Sequence, residues 1–346
     1  MIRFGKSSEA LLQHKQAFFA ENQSLLAEGL RISEIYTAQP RRKVCKVCLS
    51  EIGPVVFTKQ GIDYHICENC GHLNGSHEDT DDFCAALYTE DSGKNYAKNY
   101  SAADREAYHR RVEDIYLAKV EFLRDGLTGS GAEPNALRFS DFGAGSGYFV
   151  AAMRRLGWRE AVGYEVSGTQ VELANEMIGD EAVLRHKLDE TMGLARETEA
   201  DVISMIGVLE HLQKPREVLA AIQANENVRF LYISVPLFSP CVYFELIFPQ
   251  VFQRQLTAGH THLFTNSSLD WICSEFGMTR VAEWWFGTDM VDLLRSVSVE
   301  LARQGDGDGM GERWLETFGP AIDDLQIALD RRKLSSEVHM LLEFAS

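Results

Sequence analysis

The sequence predicts an α/β fold, a mostly parallel sheet with helices on both faces, preceded by a small module held by cysteines. Three observations carry this prediction. From residue 137 onward, short apolar runs alternate with amphipathic segments of helical length, the pattern of strands joined by right-handed crossovers. The first of those runs ends in a glycine loop, DFGAGSG, at residues 141–147. Two C-x2-C pairs stand between residues 45 and 70, a spacing that reads as a metal site.

The chain has 346 residues, length for about two domains at roughly 150 residues each. Apolar residues at 45% and charged residues at 25% are ordinary globular proportions, which excludes wholesale disorder, a collagen-like repeat and a coiled-coil rod. Against 34 Lys plus Arg stand 51 Asp plus Glu, a net charge of -17, and that balance repels a phosphate backbone. No apolar run approaches the roughly 18 residues of a membrane span. Lys6, Glu9, Lys15 and Glu21 interrupt the first thirty residues, so no secretory apolar segment is visible there. The expectation is a cytoplasmic protein without membrane contact, whose thiols stay reduced.

Taken in order, residues 7–30 place Leu11, Leu12, Phe18, Phe19, Leu25 and Leu26 at helical spacing behind Ser8 as an N-cap. Residues 1–40 are therefore read as an N-terminal helical segment. Residues 41–82 change to short β-branched runs broken by Gly53-Pro54 and Gln60-Gly61, which is hairpin composition. Residues 83–130 return to a helical period and carry Tyr88, Tyr96, Tyr100, Tyr108 and Tyr116, read either as a lid or as helix packing. A Gly/Ser/Pro stretch at 126–136 marks a boundary, and residues 131–346 form the main domain. Its strand-like runs are LRFSDF, AVGYEV, AVLRH, DVISMIGVL and FLYISVP, followed by TRVAEWWF and a last strand at Ser336–Ala345. The aromatic stretch from Tyr243 to Phe252 leaves two readings open, an acceptor-pocket wall or a homodimer surface.

Cys45, Cys48, Cys67 and Cys70 form two pairs separated by 18 residues, within the spacing of a four-cysteine zinc ribbon. Four thiolates satisfy tetrahedral zinc and leave no position for water, so the expected role is structural. Binding of that kind supplies on the order of 10 to 16 kcal/mol to a module with little core of its own. His65 and His72 lie beside the pairs as surface or supporting residues. Cys84, Cys241 and Cys273 sit in apolar context as buried thiols.

The glycine loop lets the backbone pass close to a ligand at a helix N-terminus. Its spacing is GxGxG with Asp141 upstream, and Tyr148 occupies the position where a nicotinamide fingerprint needs glycine. Glu165 ends the next strand, 18 residues beyond Gly147. Together, DxGxGxG and an acidic residue at the second strand end resemble the class I S-adenosylmethionine-dependent methyltransferases. GVLEHLQKP (207–215) and THLFTNSSLDWICSEFGM (261–278) resemble segments of the small-molecule branch of that superfamily. The resemblance implies a Rossmann-like seven-stranded sheet of order 3-2-1-4-5-7-6, with S-adenosylmethionine bound by Asp141, Phe142, Gly143, Gly145, Gly147, Glu165 and Asp189. At the last position His186 or Leu188 is an alternative. A four-cysteine module ahead of such a domain is similar to the sugar C-methyltransferases of deoxysugar and polysaccharide pathways.

Methyl transfer from a sulfonium is an in-line displacement, so it needs alignment and, for a protonated nucleophile, a base. His211 is the expected base, because an imidazole suits proton removal near neutral pH, with Glu210 orienting it or binding the acceptor. His262 matches the histidine of the family segment and takes a substrate or catalytic role by that resemblance. His260 lies close by, although the pair His260 and His262 lacks a third nearby ligand for a metal. The expected acceptor is a small polar metabolite, a nucleotide-linked sugar or glycan precursor. The rival readings are an RNA methyltransferase gripping nucleic acid through Arg41, Arg42, Lys43 and Lys46, and a scaffold that binds the cofactor without turnover.

Overall fold

A computed structural model describes residues 1–9, 12, 21–88, 105–252, 254–256, 259–305 and 309–345. The strands, in chain order, are β1 (Ile2–Phe4), β2 (Val55–Lys59), β3 (Ile62–Ile66), β4 (Leu73–Gly75), β5 (Phe139–Phe142), β6 (Val162–Glu165), β7 (Val183–Arg185), β8 (Val202–Ile206), β9 (Phe230–Pro236), β10 (His262–Leu263), β11 (Met278–Phe286) and β12 (Glu337–Phe344).

The main sheet has eight strands in the order β7-β6-β5-β8-β9-β12-β11-β1. Strands β5 to β9 pair in parallel, while β12 runs antiparallel to both β9 and β11. Without β1, this is the expected order 3-2-1-4-5-7-6. Period-two alternation places the sheet's side chains in two cores. In β9, Phe230 and Tyr232 face the helices Leu117–Gly129 and Tyr148–Arg155, whereas Leu231, Ile233 and Val235 face Val218, Leu219 and Ile222 of the helix Pro215–Gln223.

The sequence expectation for the N-terminus needs correction. Residues 2–4 form a strand parallel to β11, and the described helix runs Asn22–Thr37. Residues 10, 11 and 13–20 of the expected helix, Leu11, Phe18 and Phe19 among them, lie outside the described residues. Strand β1 covers the edge that β11 would otherwise expose. It is fastened by Gly5 N–H donating to Trp285 O at 3.0 Å, by Trp284 Nε1 donating to Gly5 O at 2.8 Å, and by the Arg3 guanidinium 4.1 Å above the Trp284 ring. Three residues are too few to announce a strand by periodicity.

The cysteine module is built into the main domain. Its four-stranded antiparallel sheet has the order β10-β4-β3-β2, so the edge strand His262–Leu263 comes from the segment just after β9 and pairs with Leu73 and Asn74. Cys45, Val47, Cys67 and Cys70 pack in the same core as Leu209, Phe264 and Ile272. The helix Asn266–Glu275 is capped by Thr265, whose hydroxyl accepts from Ser268 N–H at 3.1 Å and donates to Gly71 O at 3.0 Å. The FTNSSL segment thus works as a helix cap that also grips a cysteine knuckle. Between β11 and β12 the chain inserts the helices Asp289–Arg303, Met310–Phe318 and Ile322–Asp330. Asp289, fully buried, ties this insertion to the core by accepting from Ser239 Oγ at 2.6 Å and Ser336 N–H at 2.9 Å.

Candidate active site

The loop after β5 is shaped by contacts that exclude side chains. Gly143 has φ +69°, and a Cβ there would sit 2.6 Å from Val208 Cγ2; Gly145 has φ +54°. Both positions need glycine for conformation, and Gly143 needs it for space as well. The loop is pinned by Gly143 and Ala144 N–H donating to Tyr164 O at 2.8 and 3.0 Å. Gly147, with φ +73°, caps the helix Tyr148–Arg155 and packs on Ala174 rather than on the cavity wall.

A cavity of about 740 Å³ opens at this loop, within the range of small-molecule sites. Asp141, Phe142, Gly143, Gly145, Glu165 and Asp189 all line it. His186 and Leu188 line it beside Asp189, so all three alternatives stand at the same wall. Glu165 is 7% exposed, and its carboxylate accepts from the N–H groups of Gly145 at 2.9 Å, Val166 at 2.8 Å and Ser167 at 2.9 Å. A carboxylate offers roughly four lone-pair positions, so one more donor can be accepted from the cavity. That residual capacity, on a carboxylate held rigid by backbone amides beside a glycine cradle, fits the ribose of an adenosyl group. Asp141 is buried, accepts from Ser204 Oγ at 2.7 Å, and is pushed up to about 7 by burial, with the Ser204 bond opposing and the Glu165 charge adding to the shift.

The segment before β5 closes over the loop. Tyr108 is fully buried and donates through its hydroxyl to Ser146 O at 2.9 Å. It stacks on Tyr148 at 4.5 Å, and Tyr116 stacks on Tyr148 at 5.3 Å. Residues Val112–Tyr116 form a π-helical turn, a rare geometry that re-aims side chains at functional sites; Tyr116 lines the cavity. For these two tyrosines, packing and site formation are one arrangement. Tyr96 and Tyr100 lie outside the described residues, as does the side chain of Tyr88.

The turn Leu209–His211 follows β8 and brings Glu210 and His211 to the wall. Burial pushes the Glu210 carboxyl up to about 8. Burial, followed by the neighbouring His260, pushes His211 down to about 3, so its ring is neutral near pH 7. His211 Nδ1 donates to Gly259 O at 3.1 Å, and its ring lies 5.0 Å from that of His260, which also lines the cavity.

His262 stands elsewhere. It is 1% exposed, does not line the cavity, and shares a 2.8 Å hydrogen bond between its Nδ1 and Nε2 of His72. Two positions along the chain separate the histidine that reaches the cavity, His260 in the loop before β10, from the one in β10 that supports the cysteine module. Likewise the stretch from Tyr243 to Phe252 contributes nothing to the cavity wall, and Tyr243 and Ile247 are exposed. Sequence reasoning missed wall residues supplied from far along the chain, including Lys6, Cys84, Arg254, Gln255 and Glu337. No local motif marks them, because each reaches the cavity only through long-range packing.

The four cysteine sulfurs converge within 4.8 Å of one another, with Cys45 and Cys70 Sγ 3.6 Å apart and Cys48 and Cys67 Sγ 3.4 Å apart. Ligands about 2.3 Å from a tetrahedral zinc lie roughly 3.8 Å from each other, so the set fits that ion with small adjustments. The two knuckles repeat one geometry. Cys45 N–H donates to Ser50 O at 2.8 Å and Cys67 N–H to His72 O at 2.9 Å, while the fourth residue after each lead cysteine is left-handed, Leu49 at φ 62° and Gly71 at φ 73°. Asn74 Nδ2 donates to Cys45 Sγ at 3.5 Å, orienting a ligand. His65 Nδ1 donates to Gly53 O at 2.7 Å. Cys84 and Cys241 are buried, and Cys273 is half-buried.

Two of the four basic residues invoked for RNA turn inward, while Arg41 and Lys43 are exposed. Arg42 and Lys46 are 8% and 5% exposed and both pair with Asp79, at 3.0 and 2.5 Å; Arg41 pairs with Asp63 at 3.1 Å. Among the described residues no helix is long and apolar enough to cross a membrane.

No curated protein matches the chain. Among solved structures it is similar to a magnesium protoporphyrin IX methyltransferase from Synechocystis PCC 6803 with bound SAH, at 11% identity and TM-score 0.47, covering 77% of this chain and 100% of that one. It is also similar to the plantazolicin methyltransferase BamL in complex with SAH and a triazolic desmethyl analog, at 12% identity and TM-score 0.46, covering 76% and 94%. A SAM-dependent methyltransferase from Archaeoglobus fulgidus is similar at 14% identity and TM-score 0.39, covering 69% and 94%. The model of the family described as "Methyltransferase domain" matches residues 108–283, from the tyrosine that clamps the glycine loop to the middle of β11. That span is just over half of the 346 residues, and the chain belongs to the methyltransferase-domain family.

Proposed function

We propose that this enzyme methylates a small polar metabolite, a nucleotide-linked sugar or glycan precursor in the cytoplasm, with the four cysteines holding a structural zinc ion. The observation that carries the reading is one cavity whose wall combines two chemically different groups of residues. The glycine loop and Glu165 form one group, and Glu210, His211 and His260 form the other. S-adenosylmethionine supplies an electrophilic methyl group when bound. Glu165 accepts from the ribose, and Asp189, His186 or Leu188 flank the base. Asp141, Phe142, Gly143 and Gly145 line the cavity at the loop, and Gly147 sets the helix start behind it.

In the second group His211 presents a neutral ring with its proton on Nδ1, because Gly259 O can only accept. Its Nε2 lone pair is the site that takes an acceptor proton, and Glu210 binds or orients the acceptor. His262, two positions after His260 and in β10, supports the acceptor-binding residues from the side of the cysteine module. Arg42 and Lys46 are committed to Asp79, which disfavours the RNA reading. Transfer of methyl label from S-adenosylmethionine into a panel of keto and hydroxy nucleotide sugars, with structured RNA alongside, tests the proposal. Label in a sugar is expected; label only in RNA, or cofactor binding with no acceptor in any class, overturns it.

A further inference from the structure

Glu210, His211 and His260 come from two separate segments, the turn after β8 and the loop before β10. The fold brings one donor atom from each within 4.8 Å of the others, and all three line the cavity. His211 Nδ1 donates to Gly259 O at 3.1 Å, and His260 Nδ1 donates to Gln255 O at 2.9 Å. A carbonyl only accepts, so each ring carries a proton on Nδ1, and Nε2 is the atom left to act as a ligand in the neutral form. This is the outer arrangement that fixes the tautomer of a metal-bound imidazole.

Glu210 adds an independent sign. It is 3% exposed, and its Oε2 has no hydrogen-bond partner, a costly state for a buried oxygen unless a cation or donor meets it. Its Oε1 lies 3.9 Å from His211 Nε2. Two ligand atoms each about 2.1 Å from a common ion lie at most about 4.2 Å apart, so the pair already spans one ion.

We infer that Glu210, His211 and His260 bind a divalent first-row transition-metal ion on the cavity wall, separate from the four-cysteine site. Two imidazoles and one carboxylate favour such an ion over Mg²⁺ or Ca²⁺, which prefer all-oxygen shells. Three protein ligands leave positions open toward the cavity, where an acceptor oxygen completes the shell and is polarised. The inference rests on the proposed methyl-transfer reading for the role of that oxygen. With the ion bound, His211 Nε2 is committed to it; the acceptor hydroxyl would be acidified by the ion, and its proton would leave to solvent water instead of to the ring.

The test is a titration of zinc-loaded protein with Co²⁺, followed by visible absorption, with S-adenosylhomocysteine binding measured by calorimetry on the same samples. One equivalent of Co²⁺ is expected to give d–d bands without the thiolate charge-transfer bands that entry into the cysteine site would produce. His260→Ala and Glu210→Gln are expected to weaken Co²⁺ binding at least about tenfold while zinc content stays at the wild-type value. Absence of Co²⁺ bands, thiolate bands alone, or an affinity unchanged in both variants overturns the inference. Binding of S-adenosylhomocysteine separates the two levels: if it persists while Co²⁺ fails, the metal site falls and the methyl-transfer reading stands, and if it is absent in every sample that reading falls by itself.

Discussion

His72 and His262 meet through a 2.8 Å hydrogen bond between Nε2 and Nδ1, both rings almost fully buried, one from the cysteine module and one from β10, the short strand that follows β9 of the main sheet. Around them, Gly75 N–H donates to Thr261 O at 2.8 Å, and Thr261 Oγ1 donates to Asp79 at 2.6 Å. The module and the methyltransferase sheet therefore share hydrogen bonds and core. Removing the zinc ion should destabilise both together. Elemental analysis should find one zinc held by the four cysteines, and stripping it with a strong chelator should lower Tm in a single transition by several degrees or more. Two separate transitions, with the methyltransferase part unmoved, would contradict this coupling.

Glu165 should govern cofactor affinity. Glu165→Gln replaces a carboxylate that accepts from three backbone N–H groups with an amide that has one oxygen and an unwanted donor. Hydrogen bonds to a charged group contribute about 1.5 to 3 kcal/mol each. Calorimetry should therefore show S-adenosylhomocysteine binding weakened roughly 10- to 100-fold, and unchanged affinity would remove Glu165 from the site.

Asp141 predicts a pH dependence of stability. Its folded pKa of about 7 lies above the ordinary 3.8, mainly through burial. The folded chain thus keeps a proton that the unfolded chain releases, so this contribution to stability is full below pH 3.8 and fades as pH rises through 7. Asp141→Asn lacks it. Urea unfolding should show the stability of the variant rising relative to wild type by about 2 to 3 kcal/mol between pH 5 and 7.5. Parallel profiles would mean that Asp141 is ionised throughout.

His211→Ala should leave S-adenosylhomocysteine binding near the wild-type value, since the proposed cofactor contacts are made by the glycine loop and Glu165 and not by this ring. Turnover on the accepted substrate should fall at least about 100-fold. A variant that turns over at near-normal rate would show that the turn after β8 serves only as scaffold.

Much of the fold was legible because it is written in local periodicity. The near-continuous apolar run in FLYISVP marks a strand buried on both faces, and the positive φ of Gly143 and Gly145 accounts for the glycines of the loop. The cysteine spacing likewise announced two knuckles. The left-handed turn of the first knuckle, at Leu49, carries no glycine to signal it. Strand β1 was not legible, since three residues show no period and its pairing partner lies some 280 positions away at Glu283–Trp285.

The site divides along the same line. Asp141 and Glu165 sit at the ends of parallel strands, and Glu210 and His211 on the turn that follows another, where chain direction aims residues into the crevice; their identity and order were determined by the sequence. Which of His260 and His262 reaches the cavity was decided by the antiparallel pairing of His262 with Asn74, because that pairing commits one histidine to the second sheet and leaves the other in the loop beside His211. The basic run Arg41 to Lys46 was likewise decided in three dimensions, where Asp79, over thirty residues onward, draws Arg42 and Lys46 inside. Short-range sterics and periodicity are properties of neighbouring residues. The contact that closes a site depends on which distant segment the packed sheets bring against it.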